Sequence, residues 1–283
     1  MTDALISCEE LSGLLGRADV AVLDAGFFLP QQQRNARAEY AVAHIPGAQF
    51  FDVDEIADHA TSLPHMLPSP QEFAQAAGKL GIGDDTWVVV YDNNHYLASA
   101  RVWWMLRVFG HDRVSVLDGG FSRWQVLGLP CESGGVEPVP RVFTPRYRLE
   151  LVRDLAAMRV FAANPQGQVL DARSPGRFEG RDPESRAGLR SGHIPGARNL
   201  FFMNLVDAES GRLRAAPELA EQFRQAGIDL ARPVTTTCGS GVTACILALA
   251  LHELGRTDTA VYDGSWSEWG ARDDTPVALG SAH

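Results

Sequence analysis

An internal repeat constrains the fold of this chain more than any other feature of its sequence. Three pairs of segments recur in the same order: VLDAG at 22–26 with VLDAR at 169–173, AHIPGA at 43–48 with GHIPGA at 192–197, and VSVLDGGFSRW at 114–124 with TAVYDGSWSEW at 259–269. The members of these pairs are offset by 147, 149 and 145 residues. Offsets that are nearly constant indicate two copies of one domain.

The length agrees with a duplication, because 283 residues exceed the ~150 that are usual for one domain. We predict a first domain over residues 1–130 and a second over 151–283. The intervening stretch, 131–150, is rich in Pro, Gly and Arg and has no apolar periodicity, which is typical of a linker.

Strands and helices alternate within each copy. Short apolar or β-branched runs, typical of buried parallel strands, occur at 20–25, 87–92, 114–119, 168–172, 233–237 and 259–264. Helical stretches at 98–110 and 244–255 lie between the last two runs of each copy. The pattern predicts an α/β fold of tandem duplicated domains, each a parallel sheet flanked by helices.

Composition excludes several classes of protein. A content of 45% apolar and 21% charged residues is that of a globular protein. A net charge of −10 argues against a nucleic-acid partner, which requires a basic surface. The chain has no apolar run of ~18 residues and no basic stretch before its first apolar residues. These features predict no membrane association and a cytoplasmic location, where its four cysteines stay reduced.

The turn after the run at 233–237 is the most informative segment. It reads Cys238-Gly239-Ser240-Gly241-Val242-Thr243 and leads into an apolar helix. Backbone N–H groups at a helix N-terminus favour the thiolate form of a nearby cysteine, and glycines let the backbone curve around an anion. A buried, inert cysteine is the alternative. An offset of 145 places Asn93 at the equivalent position of the first copy, which therefore lacks a nucleophile.

Two other chemistries do not fit this turn. Cysteine phosphatases require an arginine six positions after the cysteine, and that position is Ala244. The chain also has no His/Cys cluster with metal-ligand spacing and no glycine-rich nucleotide loop, so we predict no metal and no other cofactor.

The two HIPGA segments, the cysteine turn and DGSWSEW at 263–269 together resemble the two-domain rhodaneses, a family of sulfurtransferases, over essentially the whole chain. Within that family, CGSGVTA at 238–244 is similar to the 3-mercaptopyruvate sulfurtransferases, because thiosulfate enzymes carry charged residues after the cysteine. The resemblance implies that Cys238 is the nucleophile and that Gly239, Gly241, Val242 and Thr243 surround the substrate.

The resemblance also implies which side chains assist Cys238. The family's substrate-binding arginines fall on Arg177 and Arg186, although Ser185 departs from the usual pattern. Ser240 is coupled in such enzymes to a histidine and an aspartate of the first domain, which fall on His65 and Asp54. Each residue also has an ordinary interpretation: solvated loop arginines, a helix N-cap serine and an exposed loop histidine.

These assignments predict that sulfur moves from 3-mercaptopyruvate to Cys238 and then to a thiol acceptor such as thioredoxin, or to cyanide, with release of pyruvate. Two alternatives stay open. One is a thiosulfate:cyanide sulfurtransferase with the same nucleophile. The other is a rhodanese module that carries sulfur for a partner or only binds proteins.

Overall fold

The computed structural model describes residues 3–29 and 32–281, which divide into two compact units. The first unit contains the described residues up to Asp58, Leu67–Arg148 and Asp207–Leu213. The second contains His59–Met66, Leu149–Val206 and the described residues from Arg214 onward. Within the described part of the chain, no helix is long and apolar enough to cross a membrane.

The first unit is a five-stranded sheet flanked by helices, with strand order β1-β5-β4-β2-β3. Its elements are β1 (Leu5–Ile6), α1 (Cys8–Leu14), β2 (Val20–Asp24), α2 (Ala36–Val42), β3 (Gln49–Phe50), α3 (Pro70–Lys79), β4 (Trp87–Tyr91), α4 (Ser99–Val108), β5 (Val114–Leu117) and α5 (Gly120–Val126). All of its strand pairs are parallel.

The second unit has the same architecture, with strand order β6-β10-β9-β7-β8 and only parallel pairs. Its elements are β6 (Val152–Arg153), α6 (Leu155–Ala163), β7 (Gln168–Asp171), α7 (Pro175–Glu179), β8 (Arg198–Asn199), α8 (Ala216–Gln225), β9 (Val234–Thr237), α9 (Ala244–Glu253), β10 (Ala260–Tyr262) and α10 (Ser265–Trp269), with short 3₁₀ helices at Leu149–Leu151 and Phe202–Leu205. The two sheets therefore match strand for strand, which confirms the predicted fold class.

Repeated residues make the same contacts in both units. Trp124 and Trp269 are buried, and each indole N–H donates to a backbone carbonyl oxygen, of Pro130 and Pro276 respectively, at 2.8 Å. The two HIPGA histidines are likewise buried and bond to backbone carbonyl oxygens of their own unit. Because both copies make equivalent contacts with these residues, we interpret the tryptophans and the HIPGA histidines as residues that stabilise the fold, with no part in catalysis.

The stretch predicted as a linker lies along the first unit as far as Arg148. Backbone N–H groups of Arg141 and Arg146 donate to the carbonyl oxygens of Gly78 and Phe109, at 2.9 and 2.8 Å. A Cβ atom on Gly78 would lie 2.5 Å from the Arg141 oxygen, so this approach requires glycine. The segment Asp207–Leu213 also belongs to this unit, and the repeat offsets gave no indication of that.

Strand register corrects one predicted equivalence. Asp24 is paired with Tyr91 across β2 and β4, and Asp171 is paired with Thr237 across β7 and β9. The residue after Tyr91, Asp92, is therefore the counterpart of Cys238. Their carbonyl oxygens accept equivalent bonds, at 2.9 Å from the Phe121 N–H and 3.0 Å from the Trp266 N–H. The prediction of Asn93 at this position was wrong by one residue, because the offset changes from 146 at β4 to 145 at β5.

The Asp92 carboxylate shows what the turn at this position binds. It is 2% exposed and accepts four backbone N–H bonds of 2.8–3.2 Å. The donors are Asn94, Tyr96, Ala98 and Ser99, at the N-terminus of α4. Amide groups at the start of a helix converge on negative charge in this way. The first unit thus holds a carboxyl side chain where the second unit has a cysteine.

We expect Asp92→Ala to destabilise the first unit by about 3 kcal/mol, because it leaves buried N–H donors without an acceptor. Asn93→Ala is the matched control. It removes one partly exposed hydrogen bond with Ser122 and should cost less than about 1 kcal/mol. Urea unfolding of both variants checks the difference, and equal costs would contradict the register given above.

Candidate functional site

Cys238 follows β9 at the carboxyl end of the second sheet and is 2% exposed. Its backbone is fixed by residues of α10. The Cys238 N–H donates to Ser265 Oγ at 3.1 Å, and the Cys238 carbonyl oxygen accepts from the Trp266 N–H at 3.0 Å. Ser267 donates twice to the Gly239 oxygen, from its N–H at 2.8 Å and its hydroxyl at 2.7 Å. The position of the sulfur is therefore set by main-chain bonds on both sides.

The turn that follows Cys238 contains backbone N–H groups without an acceptor among the described residues. The turn curves through Gly241, whose φ is +77°, and α9 begins at Ala244. Among the described residues, no acceptor is bonded to the N–H groups of Gly239, Ser240, Val242 or Thr243. In the first unit, the amides of the equivalent turn are occupied by the Asp92 carboxylate. In the second unit the counterparts of the Asn94 and Tyr96 donors are the N–H groups of Ser240 and Val242, which have no acceptor among the described residues, whereas the counterpart of the Ser99 donor, the Cys245 N–H, donates to the Val242 oxygen at 3.1 Å.

Arg177 lies directly beside the cysteine turn. It is on α7, and its Nη2 atom would be 3.1 Å from a Cβ atom placed on Gly239. Its Nε donates to Glu184 Oε2 at 3.2 Å, and Glu184 is buried whereas Arg177 stays 26% exposed. The guanidinium group is thus held in place on one edge and accessible on another, as a carboxylate-binding arginine must be.

A buried network of ion pairs holds Arg177 on the side where it contacts Glu184. Glu184 Oε1 accepts from Arg173 Nη1 at 2.7 Å, and Asp171 Oδ2 accepts from Arg173 Nη2 at 2.7 Å. The Arg173 guanidinium also lies over the Trp266 ring, 4.5 Å from its centroid. Burial lowers the pKa of Arg173, but the Asp171 and Glu184 carboxylates more than reverse this and keep the group charged. The buried Glu184 carboxylate that binds Arg177 is therefore itself held in position by Arg173.

Two of the predicted site residues, His65 and Arg186, lie together in the second unit. Arg186 Nη2 is 3.5 Å from His65 Nε2. His65 has a φ of +60°, which is unfavourable for a residue with a side chain. Strained backbone of this kind persists where neighbouring structure imposes it, and it is common at functional sites.

The other two residues of the predicted relay, Ser240 and Asp54, lie in different units. The N-cap of α9 is Thr243, so the ordinary interpretation of Ser240 as the helix cap was wrong. Asp54 is exposed in the first unit, and its N–H donates to Asp52 Oδ1 at 3.0 Å. A relay from Ser240 through His65 to Asp54 stays a prediction.

The other three cysteines have no comparable environment. Burial raises the pKa of the Cys8 thiol to about 11, and burial also raises the pKa of Cys131. Cys245 is buried in α9, with its sulfur 3.2 Å from the Gly241 oxygen. Across residues 3–29 and 32–281, no group of three or more His, Cys, Asp or Glu side chains is placed to hold a metal ion.

Sequence reasoning missed Glu184, Arg173, Ser265 and Ser267. Ser265 carried a usable signal, because it stands where the first copy has Gly120. Both residues adopt the left-handed conformation, with φ of +49° for Ser265 and +58° for Gly120. A serine at a position that suits glycine indicates that its hydroxyl is required. Glu184 gave no such signal, since an acidic residue in a polar loop is ordinary.

Comparison with known proteins gives consistent results. The family described as Rhodanese-like domain matches residues 7–127 and 154–272. The 3-mercaptopyruvate sulfurtransferase of Escherichia coli K12 is 40% identical over 98% of each chain, and the thiosulfate sulfurtransferase of Gallus gallus is 42% identical over 94% of this chain and 93% of its own. The crystal structure of the E. coli 3-mercaptopyruvate sulfotransferase SseA superposes with a TM-score of 0.86 at 37% identity, over 94% of this chain and 99% of that one. This chain belongs to the rhodanese family, with two rhodanese-like domains.

Proposed function

We propose that this protein is a sulfurtransferase that moves sulfur from 3-mercaptopyruvate, through a persulfide on Cys238, to a thiol acceptor or cyanide, and releases pyruvate. The turn of accessible amides around Cys238 is the observation that carries the proposal. Two relatives that are at least 40% identical over nearly the whole chain are named 3-mercaptopyruvate sulfurtransferase and thiosulfate sulfurtransferase. A cytoplasmic location and thioredoxin as the acceptor are finer parts of the same proposal.

The first half-reaction loads the sulfur onto the enzyme. The Cys238 thiolate attacks the sulfur of 3-mercaptopyruvate, an S–S bond forms, and the C–S bond breaks with its electron pair left on carbon. The donor's thiol gives up its proton, and the resulting enolate of pyruvate takes one proton at that carbon, relayed by Ser240 with His65 and Asp54. The outer sulfur of the persulfide then carries the negative charge, which the N–H groups of the turn stabilise.

The second half-reaction returns the enzyme to its starting state. An acceptor thiolate or cyanide attacks the outer sulfur, and the Cys238 thiolate leaves. In both halves the charge stays beside the same backbone amides, which do not have to rearrange. This constant environment suits a ping-pong exchange of one sulfur atom.

Arg177 and Arg186 bind the carboxylate of the donor in this proposal. Arg177 is next to Gly239, at the rim of the turn, and Glu184 holds its inner edge. Arg186 is held near His65 and is exposed. Gly239, Gly241, Val242 and Thr243 shape the backbone around the three-carbon donor, and the absence of side chains at the two glycines leaves room for it.

A thiosulfate:cyanide sulfurtransferase is the second candidate, favoured by the 42% identity to the chicken enzyme of that name. Both candidates share Cys238 and the persulfide, and they differ only in the donor. The two residues after the cysteine, Gly239 and Ser240, are uncharged, so the turn provides no side-chain cation for a second negative charge on the donor. This observation favours the monocarboxylate donor.

Cys238→Ser should abolish pyruvate release, because a serine hydroxyl does not form a persulfide. Intact-protein mass spectrometry after donor treatment should show a gain of one sulfur atom on the unaltered protein and none on the variant. Cys245→Ser is the matched control, which should keep both the mass gain and the turnover. Pyruvate production by Cys238→Ser would contradict the proposal, and so would unaltered protein that gains no sulfur.

Arg177→Lys should raise KM for 3-mercaptopyruvate about tenfold or more with a smaller change in kcat. The lysine keeps the charge but loses the planar fork that contacts Glu184 and the donor together. Arg181→Lys is the control, since Arg181 is exposed and pairs only with Glu179 among the described residues. Steady-state kinetics of both variants measure this difference. Equal changes in KM for the two variants would contradict a role for Arg177 in binding the donor.

Donor preference separates the two candidate reactions. We expect kcat/KM for 3-mercaptopyruvate to exceed that for thiosulfate by at least about tenfold, with cyanide as the common acceptor, for a difference of about 1.4 kcal/mol or more between the two transition states. Comparable values of kcat/KM for the two donors would contradict the specificity proposed here, and a higher value for thiosulfate would favour the second candidate.

A further inference from the structure

A cavity of about 460 Å³ in the first unit takes no part in the proposed reaction. It lies beside Asp24, at the carboxyl end of β2. The residues that matter for its chemistry are Asp24, Gly26, Tyr40, Ala43 and Phe121. None of these residues belongs to the sulfur-transfer site, so the cavity requires a separate explanation.

The duplication shows what occupies this place in the second unit. Asp24 and Asp171 end matching strands, and each accepts the N–H of the residue two positions later, Gly26 at 2.8 Å and Arg173 at 2.9 Å. Gly26 therefore corresponds to Arg173. The residues that surround the cavity are then the counterparts of those that surround the Arg173 guanidinium.

Arg173 makes four contacts in that guanidinium site. Glu184 accepts from its Nη1 atom at 2.7 Å, and the three other partners have counterparts in the first unit. The Arg173 nitrogen atoms also donate to Asp171 at 2.7 Å and to the Gly192 carbonyl oxygen at 2.9 Å, and the guanidinium plane lies over Trp266. These are the anionic, carbonyl and aromatic partners that a guanidinium prefers.

The counterparts of all three partners line the cavity. Asp24 corresponds to Asp171. Ala43 precedes the HIPGA histidine, as Gly192 does in the second unit. The remaining counterpart is Phe121, whose N–H makes the same bond as that of Trp266. The first unit therefore keeps three of the four partners of that guanidinium, without the second carboxylate, and glycine replaces the residue that supplied the guanidinium.

The loss of the arginine leaves the Asp24 carboxyl buried without an arginine partner in the described structure, and the basic group that acts on it is His44. Asp24 is 7% exposed, and its closest polar contacts are the Gly26 N–H and the Tyr91 hydroxyl. Burial, and to a smaller extent the nearby Asp92, raises the pKa of Asp24 to about 6. An ionised carboxylate here is costly until a cation binds it.

Arg34 also lines the cavity, but its charge is already matched. Its Nε donates to Glu39 Oε1 at 2.8 Å, and its Nη2 donates to Glu39 Oε2 at 2.6 Å. Its guanidinium group lies over the Phe28 ring at 3.7 Å. Arg34 therefore does not replace the missing arginine.

We propose that the cavity beside Asp24 and Phe121 binds the guanidinium group of an external ligand, in the place that Arg173 fills in the second unit. The Asp24 carboxylate pairs with the guanidinium, and the Phe121 ring covers one of its faces. The guanidinium belongs either to a small free cation or to an arginine side chain presented by another protein chain.

Titration of the full-length protein at pH 8 tests the proposal, with amide signals of Gly26 and Phe121 followed by NMR. The probes are methylguanidinium, as a free cation, and acetyl-Gly-Arg-Gly-amide, as an arginine within a chain. We expect saturable shifts at these two signals, and the tighter probe identifies the source. Urea has the same planar shape without charge and should bind at least about tenfold more weakly.

Two variants assign the binding to the predicted side chains. Asp24→Asn should weaken binding of the better probe at least about twentyfold, and Phe121→Leu should weaken it about three- to tenfold through loss of the aromatic face. Sulfur transfer through Cys238 should stay unchanged in both. Absence of saturable shifts with either probe would overturn the proposal, and so would binding that is equal in Asp24→Asn or equal for urea.

Binding should also follow the ionisation of Asp24. Only the carboxylate attracts the cation, so affinity rises as pH increases through about 6 and should be about tenfold lower at pH 5 than at pH 8. Other titratable or charged groups face this carboxyl from the surrounding elements: Arg34, Glu39, Tyr40, His44, Tyr91, Asp92 and Glu132. Asp24→Asn retains them all, so an unchanged pH dependence in that variant would contradict the role of Asp24.

Discussion

This structure depends on one turn, which joins the fourth strand of each unit to the helix that follows. In that turn, backbone N–H groups are directed toward a single acceptor position. In the first unit this position is filled by the Asp92 carboxylate, with four N–H donors. In the second unit Cys238 occupies the same position. One turn thus stabilises the fold in one copy and leaves its donors available for chemistry in the other.

The two copies also differ in how they treat the buried aspartate at the end of the second strand. Asp171 is neutralised by Arg173, and the charge continues through Glu184 to Arg177 at the cysteine turn. Asp24 has glycine in place of the arginine, and a cavity lies beside it. A buried carboxylate costs free energy unless it is paired, so the difference between Arg173 and Gly26 decides whether this position holds an ion pair that leads to Arg177 or a cavity.

Much of this was predictable from the sequence, and what was not has a physical reason. The repeat predicted two parallel α/β domains, and the turn of Cys238 was recognisable from its glycines. The register at Asp92 was not, because WVVVY and VTTT share burial but only one identical residue, Val88 with Val234, so a one-residue shift between strands is invisible in offsets. The hydrogen bond between Arg177 and Glu184 was also not predictable from the sequence, because the conformation of the loop, and not the residue spacing, brings those side chains together.

The pairing of Arg177 with Glu184 has a consequence for the charge of the donor. Glu184 is buried and accepts from both Arg173 and Arg177, while Asp171 offsets Arg173 from the other side. Two arginines and two carboxylates leave this cluster with no net charge, so its attraction to an anion comes from the oriented N–H groups of Arg177 rather than from excess positive charge. Oriented donors suit one planar carboxylate better than a compact dianion, which would need a surplus of positive charge close to the sulfur.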